Sequence, residues 1–69
     1  MNKDFYTNRK DDLLKAIAYF TKSNRLNDAR IVYGRLCELI DIAYFYKVLS
    51  AEEYHFNNKQ AEDCFYNNL

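Results

Sequence analysis

Across 69 residues the chain has no proline and a single glycine, Gly34. Proline presets a bend and glycine accepts left-handed backbone without steric cost, so these are the residues a chain uses to turn. Folds that turn often, such as sandwiches, barrels, disulfide knots and collagen, are therefore excluded. What remains is long helices joined by short connections. The length allows one domain. At about 60 residues a chain buries only roughly 60% of the surface its unfolded form exposes, so helix packing or a partner subunit must supply stability.

The hydrophobic period supports three helices. In the first, expected over residues 4–23, Leu13, Leu14, Ile17, Ala18 and Phe20 recur at helical spacing, and Tyr6 and Lys10 extend the stripe backwards. Asp4 or Thr7 is the expected N-cap. Ser23-Asn24 can end the helix, because asparagine tolerates the left-handed conformation that closes one.

The second helix, expected over residues 27–49 and capped by Asn24 or Asn27, is the longest of the three. About 100° per residue puts Leu26, Ala29, Val32, Tyr33, Leu36, Cys37, Leu39, Ile40, Ala43, Tyr44 and Tyr46 on a core face. Ile31, Ile42, Phe45 and Leu49 fall on a second, narrower stripe. A helix apolar on two sides must face a third helix or another subunit with the second.

Ser50-Ala51-Glu52-Glu53 reads as a capping box, with Leu49 and Tyr54 at hydrophobic-staple positions. A third helix is expected over residues 51–66, with Tyr54, Asn58, Ala61, Cys64 and Phe65 inward. Asn57-Asn58 is a candidate break, and Asn67 and Asn68 are expected to fray. The predicted architecture is all-α, a small three-helix bundle or a helical hairpin plus a C-terminal helix, in one domain over residues 1–69 with a long central helix. Shifting the chain by about 34 residues, the period of a helical-hairpin repeat, pairs Tyr19 with Glu53 and Gly34 with Asn68, so no repeat is present.

Little in the sequence points to catalysis. His55, the single histidine, lies two helical turns from Cys64 on a different face, and no nucleophile motif accompanies either. Cys37, His55 and Cys64 lack the paired spacing of a metal site. Glu52-Glu53 and Glu62-Asp63 are adjacent pairs that diverge around a helix, and Gly34 stands outside any phosphate loop. No enzyme activity, cofactor or metal is expected. Phe5 and Tyr6 are followed by Thr7, Asn8, Arg9 and Lys10 rather than by a long apolar core, so no secretory leader is expected. The expected compartment is the reducing cytoplasm, with a thiol sensor through Cys37 and Cys64 as a minor alternative. No run of about 18 uncharged apolar residues exists to span a membrane. Eight asparagines, six lysines and seven tyrosines fit AT-rich coding, as in a low-GC bacterium, its phages or its mobile elements.

The formal net charge of zero hides an asymmetry. Residues 1–35 carry eight basic and four acidic side chains and residues 36–69 two and six, so the halves stand at +4 and −4. Lys22, Arg25, Arg30 and Arg35 are candidate phosphate contacts for a small nucleic-acid-associated regulator. They point in different directions, however, and the acidic half would repel the same ligand. Tyrosine suits interfaces that are wet at one end. The favoured expectation is a non-enzymatic protein-interaction module, a homodimer that also binds another protein as adaptor, inhibitor or regulator. Its expected interface is Ile31, Ile42, Phe45 and Leu49 around Gly34, in an antiparallel twofold pair with Arg30 of one chain meeting Asp41 of the other.

Overall fold

A computed structural model of the chain describes residues 1–67. It contains three helices in chain order: α1 over Lys3–Lys22, α2 over Leu26–Phe45 and α3 over Ala51–Tyr66. They form a small all-α three-helix bundle, 35 × 19 × 14 Å, in which α1 packs most extensively on α2 and α3 closes the open side of that hairpin. Two core stripes meet at the centre: Tyr6, Leu13 and Ile17 from α1 against Ala29, Leu36, Ile40 and Ala43 from α2. Ala61 and Phe65 of α3, with Leu49, complete the core. Ile17, Leu36 and Ile40 are fully buried, and burial of each such side chain stabilises the fold by about 1.5–3 kcal/mol.

Helix starts follow the capping rules with two departures. The N-cap of α1 is Asn2, whose Oδ1 accepts from the Phe5 amide at 2.7 Å, rather than Asp4 or Thr7. α1 therefore begins at Lys3, one residue before the expected start, and Tyr6 joins the core stripe. Arg25, with no side-chain cap bond, holds the N-cap place of α2 instead of Asn24 or Asn27. Asn24 is otherwise engaged, since it closes α1 in the left-handed conformation at φ 59°. There the Asn24 amide donates to Thr21 O and the Arg25 amide to Phe20 O, which is the Schellman closure. The Ser50 box is present in full: the Glu53 amide donates to Ser50 Oγ at 3.2 Å, and the Ser50 amide to Glu53 Oε1 at 2.9 Å.

The expected reach of α2 to residue 49 is corrected. The helix ends at Phe45, so α2 is 20 residues, the same length as α1, and is not the long central helix expected. Lys47 adopts φ 61°, its amide donates to Tyr44 O and the Val48 amide to Ala43 O, a second Schellman closure. The turn redirects Leu49 into the core, where it is 4% exposed, so Leu49 does not belong to the outer stripe. Three residues expected on the core face are exposed instead. Leu26 is the first residue of α2, Tyr44 lies against Tyr54 of α3, and Tyr46 stands beyond the helix. α3 runs unbroken through Asn57-Asn58, and Asn57 rather than Asn58 is the more deeply buried of the two. Asn67 is the cap of α3, and Asn68 lies outside the described residues.

Candidate functional site: the outer face of α2

With the inner face of α2 filled, its opposite face is left without a covering helix. Ile31, Ile42 and Phe45 remain 57%, 38% and 77% exposed on that side. At about 100° per residue, Ile31, Arg35, Glu38 and Ile42 fall within roughly 60° of one another around α2, with Phe45 and Gly34 on one flank. A Cβ built on Gly34 meets nothing within 4 Å, so no packing inside the chain requires a glycine there. Beside this strip a shallow groove of about 320 Å³ runs between α1 and α2, lined by Arg9, Leu13, Arg35, Glu38, Leu39 and Ile42.

A second concavity, of about 520 Å³, opens at the C-terminal end of α2 between Asp41, Tyr44, Phe45, Lys47, Leu49 and Tyr54. Its wall is fixed by two contacts. Tyr44 and Tyr54 stack with centroids 4.4 Å apart, and the Tyr54 hydroxyl donates to Asp41 Oδ1 at 2.8 Å. The Asp41 bond pushes the Tyr54 phenol above its ordinary value, because the carboxylate favours the protonated ring.

The expected interface residues thus divide. Ile31, Gly34, Ile42 and Phe45 share the outer face, and Leu49 leaves it. Asp41 is already an acceptor for Tyr54, and Arg30 lies exposed at the margin of the strip. Arg9 is not among the residues expected at a site, while Leu39 and Tyr54, expected to face inward, line these concavities as well. Which residues of α1 and α3 flank α2 depends on helix register, which periodicity does not encode.

The basic candidates do not converge. Arg25 pairs with Asp28 at 2.8 Å and lies 5.0 Å over the Phe20 ring. Lys22 ends α1, and Arg30 and Arg35 are about 140° apart around α2. The thiols are also separated in role. Cys64 Sγ on α3 donates to Leu14 O of α1 at 3.5 Å, while Cys37 lies on α2 beside Tyr33. Burial pushes both thiols up, which lowers the thiolate fraction that redox chemistry uses. His55 is exposed and meets Tyr54 edge-on at 5.7 Å. Among the described residues no three metal-ligating side chains gather, and no helix is long and apolar enough to cross a membrane.

Among the described residues these features define a small three-helix bundle whose outer α2 face carries the exposed side chains of Ile31, Ile42 and Phe45. No family model matches the chain, and no curated protein or solved structure matches it either.

Proposed function

We propose that this chain is a non-enzymatic protein-interaction module that pairs with a second copy of itself through the outer face of α2. In this reading it acts stoichiometrically in the cytoplasm as an adaptor, inhibitor or regulator of another protein. The observation that carries the reading is the row Ile31, Ile42 and Phe45, held exposed on the side of α2 opposite its filled core stripe. Exposed apolar side chains collected on one face mark an interaction surface, whereas the same residues scattered singly would mark nothing. The small core adds weight, because a domain of this size gains stability from burying such a face against a partner. AT-rich coding suits a phage or mobile-element accessory protein. The divergence of Lys22, Arg25, Arg30 and Arg35 leaves the nucleic-acid reading without a supporting patch.

A dilution series followed by amide NMR tests this. The amides of Ile31, Gly34, Ile42 and Phe45 are expected to shift with protein concentration while those of His55 and Lys59 on the outside of α3 stay fixed. Spectra that do not change with concentration, or changes confined to α3, contradict it.

A further inference from the structure

The order of residues along the outer strip of α2 is self-complementary, and this selects a geometry for the pair. Ile31, Arg35, Glu38 and Ile42 follow one another at spacings of four, three and four. That is the seam spacing of helices packed in the left-handed, coiled-coil manner. The spacing is the same in either direction, but reversal exchanges base for acid. Two α2 helices packed in parallel would set Arg35 on Arg35 and Glu38 on Glu38. Packed antiparallel, each Arg35 meets a Glu38.

Resting on the proposed self-association, we infer that two copies dock α2 against α2 in antiparallel fashion about a twofold axis level with Leu36 and Cys37. Ile31 then packs on the partner's Ile42, and Arg35 pairs with the partner's Glu38, each contact occurring twice. Three observations support this register. Among the described residues neither Arg35 nor Glu38 belongs to an ion pair, although they are three apart on one helix; the pairs present are Lys3–Glu53, Arg25–Asp28 and Lys59–Asp63. Ile42 lines the groove between α1 and α2 with Leu13 and Leu39, beside the charged Arg9, Arg35 and Glu38, so the partner's Ile31 has apolar side chains to pack on at that end of the groove. The register that would pair Arg30 with Asp41 needs a carboxylate that already accepts from Tyr54. Charged residues in the middle of an apolar seam are a known device for fixing register and direction, since any slip strands them against apolar side chains or like charge.

Charge reversal tests the geometry separately from self-association. Sedimentation velocity on the wild type first establishes whether a dimer forms; a monomer at every concentration overturns both readings. With a dimer established, Arg35→Glu or Glu38→Arg alone is expected to raise the dimer dissociation constant by about tenfold or more, because each change sets two like-charge contacts in the seam. The double variant Arg35→Glu with Glu38→Arg restores the pairs in reversed sense and is expected to return the constant to near the wild-type value. An equimolar mixture of the two single variants is expected to associate more strongly than either alone. A wild-type dimer that tolerates both single reversals, or that the double variant does not restore, overturns the register while leaving the proposed self-association standing. Both substituted positions are exposed, and far-ultraviolet circular dichroism confirms that each variant is folded.

Discussion

Asn57 lies mid-helix in α3, where asparagine is a poor helix former, and its burial is explained by what it bonds. Its Oδ1 accepts from the Tyr6 hydroxyl at 2.8 Å, and its Nδ2 donates to Glu53 O at 2.6 Å. Glu53 in turn holds Lys3 and the Ser50 amide, so a polar chain ties the first turn of α1 to α3. The sequence names the participants but not their meeting, since Tyr6 and Asn57 are 51 positions apart and Asn58 fits the inward stripe nearly as well. Burial, with a smaller contribution from the Glu53 charge, pushes the Tyr6 phenol up to about 12 from an ordinary 10.0. A raised folded-state value favours the protonated form, so Tyr6 contributes stability that is complete below pH 10 and lost as pH rises toward about 12. Tyr6→Phe should cost roughly 1–3 kcal/mol near neutral pH by leaving Asn57 Oδ1 without its donor. In return, the variant's melting temperature should fall less steeply than the wild type's as pH rises from 10 to 12; residual steepness is expected from Tyr33, which burial also pushes to about 12. Equal slopes would show that Tyr6 does not titrate on unfolding. Glu53 has the opposite sign. The Lys3 hydrogen bond, followed by the Ser50 amide, holds it down to about 2, so its contribution is present above pH 4.5 and lost on acidification toward about 2.

At the scale of the helices, what could be read from sequence was what local chemistry dictates. The Ser50–Glu53 box, the closure at Asn24 and the inner stripes of α1 and α2 each depend on residues within a turn of one another. The end of α2 was not legible, because apolar periodicity continues past Phe45 and lysine does not announce a left-handed residue. Lys47 adopts that conformation at a cost of order 1–2 kcal/mol, offset by burial of Leu49 and the immediate start of α3. Gly34 poses the converse case, a glycine in a helix interior with open space around it. Gly34→Ala should therefore stabilise the fold by about 0.5–1 kcal/mol, read as a melting temperature several degrees higher. A loss of stability would mean that the backbone at Gly34 needs glycine after all. Gly34→Leu, by contrast, should leave the fold intact and weaken association by crowding the outer face.

For the molecule as a whole, the opposed halves of the charge distribution are joined rather than separated. Lys3 of the basic half pairs with Glu53 of the acidic half, while Arg35 and Glu38 stand at the junction of the two halves, on the outer strip of α2. The tyrosines fall into three settings: Tyr6 is buried, Tyr33 stacks on Phe65 and Tyr54 on Tyr44 where α2 meets α3, and Tyr19, Tyr44, Tyr46 and Tyr66 are exposed. The fold class and the outer apolar stripe were legible because each follows from periodicity. The proposed register, unlike the antiparallel direction, was not legible, because it turns on Asp41 being engaged by Tyr54 of α3 within the chain. In the proposed assembly the outer face of α2 holds a second copy. Sedimentation equilibrium of the wild type in reducing buffer, from micromolar to near-millimolar protein, tests it most directly. The mass is expected to climb with concentration toward twice the 8.3 kDa of the chain. A mass that stays at 8.3 kDa throughout would contradict it.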